Sequence, residues 1–392
     1  MQIKTPEKFL SAIEKIKTAA SENKFEVYAV GGFVRDIILG REPYDLDIMA
    51  QKINSSQDGK FDAINLSKLI AEKYGLSAPV VFEKFGTSKL IIDGEEVEFV
   101  MPRKEYYAED SRNPDTELGS LEQDALRRDF TVNALFLRLG DDKVLDLTGL
   151  GFKDLKDKVL RVTDPENADI IFSQDPLRIL RAVRQSLQLG FEIEPDTYKA
   201  MQNNALRISI VSPERVRDEL NKILLEKKPS QAFKMLDDIG LLKEIPPQDF
   251  EVLDKVPADL VLRLAALNIS REILNNLKYP KDMISAVCAA IDAAKASKNY
   301  SKSWTDADIR RFVKEYGDNF YFIPKELSER IEKLKAKNML CPKEELISGQ
   351  ELIDYFKKPA GQWVGKAKAE ISEMQIENPR ITKAEALMRL VF

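Results

Sequence analysis

Apolar residues recur at helical spacing in the opening segment PEKFLSAIEKIKTAA and then give way to short β-rich runs, FEVYAV, DLDIMA, PVVFEKF, TSKLIID and EEVEFVM, separated by turns or helical stretches. A period near 3.6 predicts a helix, and compact runs bounded by turn residues predict strands. Residues 5 to about 150 therefore read as a head domain of mixed strands and helices, α/β or α+β. After about residue 165 the strand pattern nearly vanishes. DIIFSQDPLRILRAVRQSLQL, PDTYKAMQNNALRI, SPERVRDELNKILL and PSQAFKMLDDIGLL read as amphipathic helices, and the pattern continues to KAEALMRLVF. The chain as a whole is thus predicted to be α+β, with a head over 1–150, a helical neck over 151–225 and a helical body and tail over 226–392. Ser212 before Pro213 predicts a helix start with a capping hydroxyl and proline at the first position. The stretch EYYAEDSRNPDTELGSLEQ, 105–123, predicts a mobile polar loop.

Composition changes this picture mainly by exclusion. A chain of 392 residues can bury a sizeable core, and 44% hydrophobic with 32% charged residues is that of a soluble globular protein. No apolar window approaches a membrane span and MQIKTPEKFL lacks the apolar run of a signal peptide, so the expectation is a cytoplasmic protein with no membrane partner. Cys288 and Cys341 are far apart, which suggests neither a disulfide framework nor a thiolate zinc site. The absence of any histidine is the most restrictive fact. It excludes Ser-His-Asp and Cys-His catalysis and histidine-ligated zinc, leaving carboxylates, Lys, Arg, hydroxyls or a hard metal. A net charge of −5 requires any polyanionic partner to use a local basic groove.

Candidate chemistry is densest in AVGGFVRDIILGREPYDLDIMA, residues 29–50. A strand ending at Gly31-Gly32 has no side chains to keep backbone N–H groups from a phosphate, and a short helix begins there. Asp45 and Asp47 fall on one face of the next strand by alternation, where two carboxylates can share Mg²⁺. Metals held in this way can activate a ribose 3′-hydroxyl and neutralise a departing pyrophosphate.

GGFVRD followed by DLD resembles the signature of class II CCA-adding enzymes and bacterial poly(A) polymerases, members of the DNA polymerase beta nucleotidyltransferase superfamily. The resemblance extends through LRRDFTVNAL (126–135), DLTGLGFKDL (146–155), QDPLRILRAVR (174–184) and SPERVRDEL (212–220). It implies a tRNA nucleotidyltransferase head followed by neck, body and tail, with Mg²⁺ as cofactor and tRNA, CTP and ATP as partners, acting as a monomer or homodimer. It further implies Glu98 as a third carboxylate on a neighbouring strand. Arg128, Asp129 and Asn133 are implied to handle the incoming nucleotide, together with Gly31, Gly32, Arg35 and Arg181.

Within QDPLR, Asp175 and Arg178 are three residues apart, which on a helix is one face. A carboxylate only accepts and a guanidinium only donates. Together they match the amino group and unprotonated ring nitrogen of cytosine and adenine, and mismatch uracil and guanine. The family usually shows Glu-Asp where this chain has Gln174-Asp175; the Gln carbonyl can position neighbouring Arg residues with weaker charge support. The 105–123 segment, with Arg112 and Asp115, occupies the place of a flexible element that the family needs for adding the final A. LISGQELIDYFKKPAGQWVG (346–365) resembles a tail segment in which Lys357, Lys358 and Lys366 would meet the tRNA backbone. An A-adding or CC-adding specialist and a poly(A) polymerase stay open as readings. So, more distantly, do a small-molecule nucleotidyltransferase and an inactive RNA-binding protein.

Overall fold

Phe9, Ala12, Ile13, Ile16, Ala19 and Ala20, three and four residues apart, form the buried stripe of α1, Glu7–Glu22. The structure, a computed structural model, describes residues 5–53, 59–106, 115–243, 245, 248–317, 321–340 and 345–391. The chain divides into two units, Met1–Lys243 and Glu244–Phe392.

In the first unit α1 is followed by β1 (Phe25–Val30), α2 (Gly32–Ile38), β2 (Leu46–Lys52), α3 (Asp62–Tyr74), β3 (Val80–Phe82), β4 (Thr87–Ile92) and β5 (Glu95–Val100). Then come β6 (Arg103–Tyr106), β7 (Asp115–Leu118), α4 (Leu121–Arg127), β8 (Leu135–Arg138) and β9 (Lys143–Asp146). Seven strands form one sheet in the order β3-β4-β5-β2-β1-β8-β9, and β2 with β5 is its parallel pair. The strands predicted over 25–100 are all present. Side chains of directly paired residues share a face. One row therefore runs across the sheet from Val30 through Asp47, Glu98 and Lys89 to Val80.

The opposite face carries buried Ile48, Ala50, Val97, Phe99, Leu90 and Ile92 and is covered by α1 and α3. Two polar bonds fix α3 there: Lys52 N donates to Asp62 Oδ2 at 2.6 Å, and the Ser67 and Ser88 hydroxyls lie 2.7 Å apart. On the front face Tyr28, Val30, Met49 and Phe136 pack with Ala125 of α4 and Ala134.

Within the predicted polar loop 105–123, residues 107–114 lie outside the described residues, and 105–106, 115–118 and 121–123 belong to regular elements. β6 and β7 pair as an antiparallel ribbon, and α4 starts at Leu121 behind a capping box in which Ser120 and Gln123 bond each other's backbone N–H. A ribbon is held by backbone bonds, so it needs no apolar alternation to advertise it. Gly119 closes the ribbon, where a Cβ would lie 2.7 Å from the backbone of Arg103 and Lys104. Arg112 lies outside the described residues, as does the side chain of Asp115.

The unit continues with α5 (Gly151–Asp157), β10 (Val159–Leu160), α6 (Ala168–Gln174), α7 (Leu177–Leu189), β11 (Glu192–Ile193), α8 (Pro195–Asn204), α9 (Pro213–Leu224) and α10 (Pro229–Ile239). The helix predicted through 169–189 is two helices. Asp175 has φ −133° and ψ 89°, because a residue before proline is pushed out of the α region. Ser212 does precede α9 with Pro213 at its first position, but its hydroxyl makes no capping bond. Beyond the α7 carboxyl end, Arg41 from the α2–β2 connection donates to Gln188 O at 2.9 Å and Leu189 O at 3.0 Å, satisfying carbonyls left open by the helix.

The second unit is helical among its described residues: α11 (Val252–Lys255), α12 (Leu260–Ala266), α13 (Arg271–Asn276), α14 (Lys281–Ala296), α15 (Asp306–Tyr316), α16 (Lys325–Ala336), α17 (Gly349–Phe356), α18 (Gln362–Glu377) and α19 (Lys383–Arg389). Ala293, Ile309, Phe312, Leu327 and Ile331 form one core cluster, and Leu352, Ala367, Ile371, Ala386 and Leu390 another. Buried Arg310 joins these regions by donating to the carbonyls of Ile376 and Glu377 at the end of α18. Lys357 and Lys358 are exposed at the α17–α18 turn, and Lys366 is exposed within α18. No helix among the described residues is long and apolar enough to cross a membrane.

Candidate active site

The floor of the site is the carboxyl end of β1, where the chain must turn sharply into α2. Gly31 has φ +72°, a conformation that side-chain-bearing residues rarely adopt. A Cβ there would sit 3.4 Å from Arg128 Nη1 and 3.7 Å from Asp47 Oδ2, so this glycine lets a cation and a carboxylate approach the same backbone. Gly32 opens α2, with Arg35 one turn on.

The carboxylates stand beside this floor. Asp47 is on β2 and pairs in register with Glu98 on β5. Asp45 is exposed and immediately precedes β2, outside the strand that the sequence assigns it to, and its charge acts on Asp47. Burial pushes the Asp47 carboxyl up to about 6, reinforced by Glu98 and Asp45 and only partly opposed by Arg128 and Lys89. This is an excess of negative charge that its protein neighbours do not balance. Among the described residues no three acidic groups form a ready-made metal cage. The donor set nevertheless fits Mg²⁺, which is usually held by one or two carboxylates with the remaining positions left to water and substrate phosphates.

Arg128 overhangs the carboxylates because Asp124 holds it. The Asp124 side chain is fully buried and accepts from Arg128 Nε at 3.0 Å and Nη2 at 2.9 Å, and from Arg127 Nε at 2.9 Å. Burial disfavours its charge, but Arg128 and Arg127 outweigh that and hold the carboxyl below its usual range. The Arg128 guanidinium also lies 5.2 Å over the Phe136 ring.

A second network joins α2, the short turn Thr131–Asn133 and α7. Arg35 pairs with Asp36 through Nε at 2.8 Å and Nη2 at 2.9 Å, and its Nη1 donates to Asn133 Oδ1 at 2.7 Å. Asn133 Nδ2 donates to Asp129 Oδ1 and Gln185 Oε1, at 2.9 and 2.8 Å. Asp129 Oδ2 accepts from Arg181 Nε at 3.0 Å and Nη2 at 2.5 Å, and from Gln185 at 3.3 Å. Both Asp129 oxygens are thus engaged within the chain.

Burial opposes Asp129 ionisation, yet Arg181 and the Asn133 bond hold the carboxyl well below its usual range. A depressed folded-state pKa contributes stability that is complete above the ordinary Asp value, near 4, and is lost as pH falls below it. Asp129→Asn should therefore lower stability at neutral pH by about 2–3 kcal/mol. It should also flatten the acid limb between about pH 5 and 3. Denaturant unfolding of both proteins across that range checks this; parallel acid limbs would refute it.

Asp175 and Arg178 are brought near one another but do not lie on one helical face. Arg178 is buried in the first turn of α7, with Nη2 donating to Arg127 O at 2.7 Å. Asp175, in the break before α7, has Arg215 Nη2 of α9 at 3.6 Å from its Oδ2. Sequence reasoning did not assign Asp124, Gln185, Arg215 or Arg41. Only Asp124, three and four residues before two arginines on one helix, carried a local signal. Lys357, Lys358 and Lys366 belong to the second unit.

Comparison with known proteins follows the same outline. Residues 27–161 match the sequence profile of the poly(A) polymerase head domain, 190–250 that of an RNA- and SrmB-binding site of polymerase A, and 258–391 that of tRNA nucleotidyltransferase domain 2. An A-adding tRNA nucleotidyltransferase of Geobacter sulfurreducens is 33% identical over 64% of this chain and 28% of its own length. A CCA-adding enzyme of Leuconostoc mesenteroides is 34% identical over 65% of this chain and 59% of its own length. The chain thus spans between about a quarter and three-fifths of these two relatives. Among solved structures, the Bacillus stearothermophilus CCA-adding enzyme in complex with CTP superposes with a TM-score of 0.73 at 24% identity, covering 98% of this chain and 97% of that one. A tRNA-processing enzyme with CTP does so with a TM-score of 0.64 at 26% identity, covering 91% and 99%. This chain thus carries the poly(A) polymerase head domain over 27–161, followed by segments similar to the RNA-binding and tRNA nucleotidyltransferase domains of that group.

Proposed function

We propose that the protein attaches C and A, taken from CTP and ATP, to the 3′ end of tRNA without a nucleic-acid template. The observation that carries this reading is the in-register pair Asp47 and Glu98, with Asp45 beside them, facing Gly31 and Arg128. CCA-adding enzymes among its structural neighbours are known with CTP and with ATP.

In this reading Asp45 and Asp47 hold Mg²⁺, with Glu98 as the third carboxylate. Bound there, the ion would ease deprotonation of the RNA 3′-hydroxyl and offset charge on the departing pyrophosphate. The hydroxyl oxygen forms a bond to the α-phosphorus of the nucleotide as the bond to the β-phosphate oxygen breaks, and the hydroxyl proton passes to solvent. Arg128 lies where it can meet the triphosphate, and the bare backbone of Gly31 and Gly32 leaves room for it. Arg35, Asp129, Asn133 and Arg181 fix the wall against which the nucleotide rests. Asp175 and Arg178 select cytosine and adenine. Residues 1–150 act as the catalytic head, 151–225 as the neck carrying the base-selecting segment, and 226–392 as the body and tail that meet tRNA, recognising it by backbone and shape. The setting is the cytoplasm.

The test is incubation with Mg²⁺, labelled tRNA lacking CCA and each nucleotide singly and combined, with 3′ ends read on a gel. Growth by C, C and A followed by arrest is the expected result. Incorporation of A only on tRNA ending in CC would assign an A-adding specialist, a reading favoured by the Geobacter relative. A long A tail would assign a polymerase, and no incorporation would refute the catalytic reading.

A further inference from the structure

Beyond its carboxylates, the front face of the head sheet ends in a shelf of exposed apolar side chains. Val80 is 60% exposed, Phe82 42%, Phe85 47% and Ile91 62%. Large apolar groups gathered in this way differ from the scattered surface hydrophobics of ordinary proteins and mark a binding surface. Register ties the shelf to the site. Asp47 pairs with Glu98, Glu98 with Lys89 and Lys89 with Val80; on the same face, Phe82 lies two residues to one side of that row on β3 and Ile91 two residues to the other side on β4. Phe85 ends the turn Glu83–Phe85 that joins β3 to β4. From Asp47 to Val80 is three strand spacings, about 14 Å.

The side of the site on which the shelf lies decides what it can serve. In-line displacement puts the attacking hydroxyl opposite the leaving pyrophosphate. Gly31 and Arg128, the groups that fit a triphosphate, lie on the β1 side of Asp47, so the RNA 3′ end must arrive from the β5 side, across Lys89 and the shelf. Lys89 is bonded to Glu96 at 2.6 Å and Lys84 lies 5.7 Å over the Phe85 ring beside Glu83, which leaves the surface close to neutral. A neutral aromatic surface favours bases over phosphates, because single-stranded nucleic acid is held by stacking on such rings. Edge pairing with a second copy is poorly served, since β3 is only three residues long.

The geometry points to this shelf, centred on Phe82 and Phe85, as the platform on which the last unpaired bases of the RNA acceptor end stack while the terminal hydroxyl reaches Asp47 and Glu98. The inference rests on the nucleotidyltransferase reading but is tested separately from it. A tRNA lacking CCA, with 4-thiouridine at its last unpaired position, should crosslink within residues 80–91 of the full-length chain, whether or not nucleotides are added. Phe82→Ala with Phe85→Ala should raise KM for tRNA on the order of tenfold and leave KM for CTP and the melting temperature unchanged. Phe82→Trp with Phe85→Trp should restore tRNA affinity, whereas Leu at both positions should not. Crosslinks confined elsewhere, or a KM for tRNA within about twofold of the unaltered chain, would overturn the platform. So would a dimer abolished by the Ala pair, which would give the surface to a second copy. Failure of the unaltered chain to extend any RNA would refute the catalytic reading alone, with the crosslink still deciding the platform.

Discussion

Asp47→Asn should lower nucleotide incorporation on the order of 10³-fold or more, equivalent to at least about 4 kcal/mol of transition-state stabilisation. The reason is the placement of Asp47. It is the group that faces Glu98 in register, follows Asp45 by two residues and approaches Gly31 from the strand side. An amide preserves its shape but is a poor ligand for a hard cation. The substitution should not disturb the fold, because it removes one of three crowded negative charges from a partly buried position. The melting temperature is expected to be unchanged or raised, a result typical of sites where function is held against stability. Single-turnover incorporation, read beside thermal melting, checks both halves. Activity within about tenfold of the unaltered chain would remove Asp47 from the chemistry.

Asp124→Ala should have the largest structural effect of any substitution near the site. This carboxylate is fully buried and is bonded to Arg103 N at 3.2 Å as well as to the Arg127 and Arg128 guanidiniums. Removing one partner of a buried charged cluster costs about 3–5 kcal/mol, because the charges left behind stay desolvated. Arg128 would also lose the support that holds it over Phe136 and Gly31, so KM for CTP and ATP should rise together. Arg128→Ala separates the two roles: it should impair nucleotide use with a much smaller fall in melting temperature. An Asp124→Ala protein that unfolds within about 1 kcal/mol of the unaltered chain would show that the cluster contributes little.

What the sequence makes legible follows the range of the physics involved. β1, β2, β4 and β5 are readable because strand periodicity is local, and the expected shared face of Asp45 and Asp47 comes from alternation alone. That Asp47 lies beside Glu98 is not local. It requires β2 and β5 to pair in parallel across an intervening helix and two strands, and only resemblance to a known family points to Glu98. The break at Asp175 was written in Pro176, but apolar spacing continues on either side of it and masks the change of helix. Asp124 shows the same limit. On paper it is an acidic residue on an amphipathic helix, and nothing in the pattern says that the acid, rather than the arginines after it, faces inward. Arg41 capping α7 depends on two segments meeting in space, and no periodicity encodes that.

The chain of bonds from Asp36 through Arg35, Asn133 and Asp129 to Arg181 and Gln185 bears on how such a protein can change over generations. Residues that share partners do not contribute independently, so the effect of altering one depends on which others are present. Exchanging the charged members of this network one at a time is disfavoured, since losing Arg181 alone leaves the buried Asp129 charge uncompensated, and losing Asp129 alone leaves that of Arg181 without its partner. Historical change at this wall should instead occur as paired replacements, or at residues such as Arg215 that touch Asp175 from outside the network.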